Sequence, residues 1–390
     1  LALPMILYFH RLSISGVTAN LIVTPMLTLA VPTGLLAVAT GWAWPVWLTG
    51  ALVSAAGRIA HWHARWDPGW RVPDPPLWVA ATLIAALLAL ALWRKRWLLV
   101  PALALIALAV WHPFEPRSVK GALELTMLDV GQGEALLIGF PSGQWMMVDG
   151  GGIPVFGNRP ASTRMDIGED VVSPYLLTRG IRRIDYAVST HQHDDHAAGL
   201  AAVIENFRPR ELWTGATPPS DAWSTLLRAA ARHSVRIVPL HRGHRQTIAG
   251  VAIETLSPSL EYQPRSTAAN NDSLVLRLTY GAHSFLLTGD IERAGEHAML
   301  DGLTPVSVLK VAHHGSKTST TGVFLDAVQP AFALISAGKD NMFRHPHTEV
   351  LQRLSARHIA AFRTDDWGLV TIRSDGRKLA LQSNRWRTAD

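Results

Sequence analysis

The 390-residue chain contains no cysteine. This absence excludes a disulfide framework and a metal site built from thiolates. Charge is also scarce in residues 1–111, which consist mainly of Leu, Ala, Val, Trp and Pro. The sequence shows no cleavable signal peptide, and since it begins at Leu1 inside an apolar stretch, we expect the C-terminal part of a longer protein. Its length predicts at least two domains.

Four apolar segments in the first part predict membrane-spanning helices. A helix needs roughly 20 apolar residues to cross a bilayer. Two prolines and a glycine interrupt the first segment, and such breakers are tolerated where the backbone is buried in protein. The last two segments predict a hairpin with tryptophans at its ends, as in interfacial aromatic belts. The alternative is a buried helical core of a soluble protein. The segments are residues 20–40, 45–60, 77–93 and 97–111.

The loop Arg94-Lys95-Arg96 joins the two segments of the hairpin. Positive residues favour the cytoplasmic side, so residues from about 113 onward are predicted to lie in the periplasm or outside the cell. Three arginines between residues 58 and 71 argue against this orientation. The net charge of +6 fits an anionic partner such as nucleic acid or lipid headgroups. Basic residues that flank membrane segments explain the same charge equally well.

Residues 117–390 have the composition of an ordinary soluble domain. Short apolar runs predict strands first, then strands alternating with helices, then a terminal hairpin about residues 374–376. Two mixed sheets sandwiched between helices fit this order. Helices are predicted over residues 171–179, 199–206, 222–233, 292–300 and 348–357.

The densest group of metal-capable side chains follows the apolar run 184–189. Residues 191–196 include three histidines and two aspartates. His191 and His193 share a face in an extended segment, and Asp195 and His196 can turn toward a second point. Imidazole and carboxylate suit Zn²⁺ or Mn²⁺.

Two further apolar strands end in residues of the same kind. Residues 285–288 lead into Gly289-Asp290, and residues 308–312 lead into His313-His314. Because side chains at strand ends can converge on one point, these residues complete a candidate metal centre.

The spacing His191-x-His193-x-Asp195-His196 resembles the signature of the metallo-β-lactamase superfamily. Further motifs resemble the C-terminal domain of ComEC/Rec2 proteins, the inner-membrane channels of natural DNA uptake, and the first residues resemble the end of that family's competence domain. The motifs are Met127-Leu-Asp-Val-Gly-Gln-Gly-Glu-Ala135, Val148-Asp-Gly-Gly151, Asn271-Asp-Ser-Leu-Val-Leu276, Leu286-Leu-Thr-Gly-Asp290, Leu309-Lys-Val-Ala-His-His-Gly-Ser316 and His345-Pro-His347.

The resemblance implies a fold and a set of residue roles. The fold is an α-helical transmembrane bundle over residues 1–116, followed by an αβ/βα metallo-β-lactamase-like sandwich over residues 117–390. Two divalent ions, Zn²⁺ or Mn²⁺, are implied. His191 and His193 would hold the first, Asp195, His196 and His313 the second, and Asp290 would bridge. Asp195 and His345 are the implied catalytic residues, and Asp149, Asn271, Ser273, His314 and Lys317 are implied to support the ligands or contact substrate.

The sequence departs from the superfamily pattern at one ligand of the first ion. The position that matches a further histidine lies in Asn270-Asn-Asp-Ser273 and has none. Other histidines in this interval are His241, His244 and His283. The first ion is therefore expected to be weakly held or completed by water. His193, where many ComEC relatives carry aspartate, favours a competent two-metal site.

The resemblance implies a multi-pass protein of the bacterial inner membrane. It would pass one DNA strand inward and hydrolyse the other with a metal-dependent nuclease. DNA would be recognised through its backbone, and competence-system proteins would be partners. Two alternatives stay open. In one, the metallo-domain only guides DNA; in the other, a membrane-anchored hydrolase acts on a different ester, since one such fold serves several chemistries.

Overall fold

The computed structural model describes residues 2–13, 15–67, 69–154 and 165–383. It divides into two compact units, Leu1–Phe114 and Glu115–Asp390. The division lies two residues before the predicted domain boundary. In the sequence, this boundary is marked by the change from apolar to mixed composition. Apolar helices and a sandwich of sheets bury different residues, so the two units differ in composition.

The first unit is helical. In the part of it that the structure describes, α2 is the one helix long and apolar enough to cross a membrane. α4 and α5 are apolar but shorter, so the bundle of spans stays a prediction. α2 packs against α3, where the Thr33 and Thr49 hydroxyls lie 2.9 Å apart. The elements are α1 Ala2–Phe9, β1 Arg11–Leu12, α2 Ser15–Thr40, α3 Ala43–Trp66, β2 Trp70–Arg71, α4 Leu77–Trp93 and α5 Leu99–Trp111.

The second unit contains two mixed sheets. The first has the order β17-β16-β3-β4-β5-β6-β7-β8, with β5 to β8 parallel. Its strands are β3 Leu123–Met127, β4 Leu136–Gly139, β5 Trp145–Val148, β6 Tyr186–Ser189, β7 Glu211–Thr214, β8 Arg236–Pro239, β16 Val370–Ser374 and β17 Leu379–Ser383.

The second sheet has the order β15-β14-β13-β12-β11-β10-β9, with β12 to β15 parallel. Its strands are β9 Arg245–Ile248, β10 Val251–Ser257, β11 Val275–Tyr280, β12 His283–Leu287, β13 Val308–Lys310, β14 Phe332–Ile335 and β15 Ala360–Arg363.

Helices cover the outer faces of both sheets. Because side chains alternate along a strand, Leu136 and Ile138 enter the core between the sheets, whereas Leu137 enters the core beneath α6 to α8. A third core joins the second sheet to α9, α10 and α11. The unit is thus an αβ/βα sandwich, as predicted. Its helices are α6 Ser173–Thr178, α7 Asp194–Phe207, α8 Asp221–Arg232, α9 Arg293–Met299, α10 Gly322–Val328, α11 Thr348–Ser355 and α12 Thr364–Trp367.

Helix α7 begins at Asp194, five residues before the predicted start at residue 199. His193 has extended backbone, and its carbonyl accepts the Ala197 N–H at 2.9 Å. Asp194 and Asp195 occupy the first turn, where the helix dipole favours negative charge. The metal-capable motif is therefore half loop and half helix, which turns Asp195 and His196 away from the extended segment.

Candidate metal centre

Strand ends from both sheets deliver the candidate ligands to one edge of the sandwich. β5 leads to Asp149 and β6 to the segment 190–196, while β12 leads to Asp290 and β13 to His314. β5 and β6 are parallel neighbours, as are β12 and β13. The residues that follow each pair therefore emerge side by side, and the shared core brings the two pairs together.

Asp195, His196, Asp290 and His314 form a compact cluster in which one ligand atom of each lies within 4.8 Å of the others. Nε2 of His196 is 3.2 Å from Oδ2 of Asp290 and 3.2 Å from Nε2 of His314. Nε2 of His314 is 3.4 Å from Oδ2 of Asp290 and 3.6 Å from Oδ2 of Asp195. Asp195 and His196 of α7 thus lie beside residues that follow β12 and β13 of the second sheet.

The cluster fits a divalent cation. Donor atoms that surround an ion at about 2.1 Å stand roughly 3 Å or slightly more from one another, which is the spacing in the cluster. Oδ1 of Asp290 is buried and has no hydrogen-bond partner among the described residues. Two imidazoles and two carboxylates are donors that Zn²⁺ and Mn²⁺ accept.

His191 and His193 form a second pair beside the cluster. Nε2 of His191 lies 3.0 Å from Nδ1 of His193, and the His191 ring centroid lies 4.2 Å from that of His196. Nε2 of His193 is 3.2 Å from the carbonyl oxygen of Ala268. The pair therefore brings two more imidazoles next to the cluster.

The structure turns His314, rather than the expected His313, into the cluster. Both residues have left-handed backbone, with φ of 50° and 54°. Nε2 of His314 faces the cluster, and its Nδ1 is 3.0 Å from the Ser336 carbonyl oxygen. His313 instead lies 3.9 Å from Asp290, and its Nδ1 is 3.5 Å from Glu292. Because both residues have left-handed backbone, the chain turns sharply here. The side chains of His313 and His314 therefore point in different directions.

Asp149 supports His196 from behind, the position expected from the sequence. Its Oδ2 lies 2.8 Å from Nδ1 of His196 and accepts the Thr190 hydroxyl at 2.6 Å, while Oδ1 accepts the Thr190 N–H at 2.8 Å. All three side chains are buried. A carboxylate on one ring nitrogen fixes the tautomer and leaves Nε2 for a metal.

Ser273 and Asn271 support the segment that carries Asp290. The Ser273 hydroxyl accepts the Asp290 N–H at 3.0 Å, and Oδ1 of Asn271 accepts the Glu292 N–H at 2.9 Å. Both residues therefore hold backbone rather than a ligand directly. Asn270 also lies 3.3 Å from Nδ1 of His313, so this segment contacts the site without a histidine.

A cleft of about 270 Å³ opens above the cluster. His345 lines it, and burial, then the charges of His314 and His313, lower the pKa of His345 to about 4. At neutral pH its imidazole is therefore uncharged. Lys317 lies elsewhere, in a neighbouring groove of about 860 Å³ that Asn271 also lines.

The other histidines between His196 and Asp290 lie outside the cluster. His283 begins β12, at the end opposite to the site, and its Nδ1 is 2.7 Å from the Ser374 hydroxyl. His241 and His244 occupy the turn before β9, where the His244 N–H donates to the His241 carbonyl at 3.0 Å.

Opposite charges in the cluster shift one another's protonation. Burial lowers the pKa of His196, but the Asp290 and Asp149 carboxylates raise it well above its usual value. Asp290 and Asp195 likewise raise the pKa of His314 against the effect of burial. Burial raises the pKa of Asp290, but His196 and His314 hold it well below its usual range. In the metal-free cluster, the protonated imidazoles of His196 and His314 therefore compensate the charge of the carboxylates. A bound cation would replace these protons.

Lys310 and Glu134 form a fully buried ion pair that sequence reasoning did not assign to the site. Burial lowers the pKa of the Lys310 amine, and the Glu134 carboxylate in contact with it favours the charged form. Nζ of Lys310 also donates to the Gly289 carbonyl at 3.1 Å and lies 3.7 Å from Oδ1 of Asp290. The signal was present, because a lysine in an otherwise apolar buried strand requires a partner.

Comparisons with known proteins match the chain to two protein families and to three curated relatives. Residues 128–339 match the family described as metallo-beta-lactamase superfamily, and residues 1–97 match the family described as competence protein. The chain is 34% identical over 263 residues to ComE operon protein 3 of Bacillus subtilis, a match that covers 65% of this chain and 33% of that protein. It is 30% identical to competence protein ComA of Neisseria gonorrhoeae, a match that covers 67% of this chain and 34% of that protein. It is also 30% identical to recombination protein 2 of Haemophilus influenzae, a match that covers 68% of this chain and 31% of that protein.

The chain belongs to the metallo-β-lactamase superfamily, as the sandwich and the residues at its strand ends indicated. The competence region and the three relatives place it more narrowly in the ComEC/Rec2 family, which confirms the resemblance. The matches span about a third of the length of these relatives.

Proposed function

We propose that this chain acts in DNA internalisation during natural transformation, with a channel for single-stranded DNA and a nuclease that degrades the other strand. The convergence of Asp195, His196, Asp290 and His314 at one edge of the sandwich carries the hydrolase part of the proposal. The competence family match supports the transport part.

In this proposal the ligands divide between two ions. His191 and His193 would hold the first ion, Asp195, His196 and His314 would hold the second, and Asp290 would serve both. Asp149 supports this arrangement because it orients His196 through Nδ1. His313 takes the substrate-facing position that the sequence had suggested for His314.

When bound, divalent ions supply Lewis acidity toward a phosphodiester oxygen and lower the pKa of water. The protein's own contribution is positioning. Asp195, in the first turn of α7, places a carboxylate in the cluster. His345 lines the cleft and would contact substrate from there. As a neutral imidazole, His345 is suited to donate a hydrogen bond to a phosphate or leaving-group oxygen.

The remaining parts of the proposal concern place and partners. We place the chain in the bacterial inner membrane through several of its apolar helices, with the sandwich on the periplasmic or extracellular side. DNA is recognised through its phosphate backbone, so binding weakens as salt rises. Other competence-system proteins supply the strand.

The test uses the purified full chain, stripped of metal and then supplied with Mn²⁺ or Zn²⁺. Labelled single- and double-stranded DNA are incubated with the wild-type chain and the Asp195→Ala/His196→Ala variant. We expect metal-dependent cleavage that this variant lacks. Asp326→Ala is the control, since it removes an exposed carboxylate on α10 and should cleave as the wild type does.

Two results would oppose the nuclease. Bound metal without cleavage of either DNA would favour a domain that only guides DNA. Cleavage of a phospholipid headgroup or another ester, with DNA intact, would favour a different hydrolase.

A further inference from the structure

Cations from two segments of the chain line the groove of about 860 Å³ beside the metal cleft. The first segment continues from Asp290 and contributes Arg293, and the second continues from His314 and contributes Lys317. Each cation therefore follows closely on a residue of the metal cluster. The Arg293 N–H donates to the Thr318 carbonyl at 3.1 Å, which joins the two segments. The two cations thus lie on neighbouring backbone next to the cluster.

Glu292 stands between the groove and the cleft. It lines the groove, and its Oε1 lies 3.5 Å from Nδ1 of His313, which lines the cleft. The same oxygen accepts the Thr318 hydroxyl at 2.9 Å and the Asn270 side-chain amide at 3.2 Å. A single layer of side chains therefore separates the two spaces, so a linear ligand held at the cluster can extend into the groove.

The backbone that carries Lys317 is held in place by two side chains of neighbouring helices. Nη1 of Arg353 donates to the Thr320 carbonyl at 3.1 Å. The Glu296 carboxylate is buried and accepts the Thr321 N–H at 3.0 Å. These bonds fix the segment after His314, so the base of the Lys317 side chain is positioned before any ligand arrives.

The charges that line the groove favour an anion. Arg293 and Lys317 are exposed, and among the described residues neither forms an ion pair with a carboxylate. The carboxylates of the groove have other partners, since Glu349 lies 3.6 Å from Arg353 and Glu292 is held at the wall. Two adjacent cations suit the backbone of a nucleic acid, which offers a charged phosphate at every nucleotide.

We propose that Arg293 and Lys317 form a subsite for the phosphates next to the bond that is cleaved. The inference rests on the proposed function and adds its substrate class, which is strands that carry charged phosphates beyond the scissile one. A small phosphodiester would reach the metal cluster but not the groove. The groove therefore distinguishes a polynucleotide from a small ester, because it binds a part of the substrate remote from the reacting atoms.

The test compares the wild-type full chain with Arg293→Gln/Lys317→Gln on two substrates. One is a labelled single-stranded oligonucleotide, and the other is bis(p-nitrophenyl) phosphate, which has no second phosphate. We expect the variant to raise KM for the oligonucleotide roughly tenfold with kcat little changed, because it loses charge-assisted bonds away from the reacting atoms. Both constants for the small ester should stay at the wild-type value. Equal losses on the two substrates would overturn the subsite, since they would indicate a disturbed metal cluster.

Arg377→Gln/Lys378→Gln is the matched control. It removes the same charge from the turn between β16 and β17, where both side chains are exposed. The Gly376 carbonyl in this turn accepts the Ala282 N–H at 2.8 Å, just before β12 and at the end opposite to the site. The control should keep the wild-type KM for both substrates. If it loses as much as the groove variant, general charge attraction replaces the subsite as the explanation.

Fluorescence anisotropy of the oligonucleotide measures binding without cleavage. Loss of two phosphate contacts with a single strand should reduce the slope of log affinity against log salt by about 1.4, whereas the control should keep the wild-type slope. An unchanged slope in the groove variant would overturn the subsite. Absence of metal-dependent cleavage would oppose the proposed nuclease, while the slope would still decide whether Arg293 and Lys317 bind phosphates.

Discussion

The Nε2 atoms of His196 and His314 lie 3.2 Å apart although 118 positions separate the two residues in sequence. His196 follows a strand of the first sheet, and His314 follows a strand of the second. Each ring uses its other nitrogen against a fixed partner, Asp149 or the Ser336 carbonyl oxygen. The candidate metal centre is therefore shared between the two sheets.

His314→Ala should remove about one bound metal ion per chain, because it deletes an imidazole that faces the cluster. His313→Ala should keep the wild-type metal content, since His313 lies 3.9 Å from Asp290 and turns toward Glu292. Elemental analysis of dialysed proteins measures both. Retained metal in His314→Ala together with loss in His313→Ala would restore the assignment made from the sequence.

Asp149→Asn should weaken metal binding about 10- to 100-fold, because the amide no longer holds His196 as a carboxylate does. Competition with a chelator measures the affinity. Thr190 contacts Asp149 through both its N–H and its hydroxyl, so a circular dichroism spectrum should accompany the titration. Unchanged affinity in a folded variant would show that His196 needs no carboxylate partner.

Lys310→Met should destabilise the sandwich by about 3–5 kcal/mol, because it leaves the Glu134 carboxylate buried without its partner. The double variant Lys310→Met/Glu134→Leu should recover part of this loss. Urea unfolding measures the change. Lys120→Met is the control, since it removes an ion pair exposed by about three quarters, 75% and 77% for the two side chains, and should have little effect. Equal midpoints for Lys310→Met and Lys120→Met would mean that the buried pair contributes little.

The metal-free protein should lose stability as pH rises above 6.5. The folded-state pKa values of His196 and His314 are raised above the usual value of 6.5, so between that value and the raised pKa the folded state binds more protons than the unfolded state. Their contribution is present below pH 6.5 and is lost as pH rises through the raised values. Since metal requires neutral imidazole, the increase in Tm on adding Mn²⁺ should grow over the same interval.

Thermal unfolding across this pH range, with and without Mn²⁺, measures both trends. A metal-free Tm that rises with pH would contradict the first trend. If the increase in Tm on adding Mn²⁺ did not change with pH, the second trend would be contradicted.

Alkaline phosphatase fused after residue 113 should be active, and the same enzyme fused within Arg94-Lys95-Arg96 should be inactive. The reason is the preference of positive loops for the cytoplasm. The reverse pattern would place the sandwich in the cytoplasm and support the three arginines between residues 58 and 71 as the inner loop.

Local patterns in the sequence were enough to predict much of this protein. The order of short apolar runs and helices predicted a sandwich, and the spacing from His191 to His196 predicted the metal-capable segment. The family followed from motifs of a few residues each. Such signals are local, because apolar runs and ligand spacing involve neighbouring positions.

Only the tertiary structure decided which neighbour of a pair enters the site. His313 and His314 are equivalent in sequence, and two left-handed residues in one turn separate their directions. Likewise Glu134 meets Lys310 only because the cores of both sheets bring distant strand ends together. Side-chain direction at a turn and contact between sheets depend on long-range packing, which no short stretch of the sequence specifies.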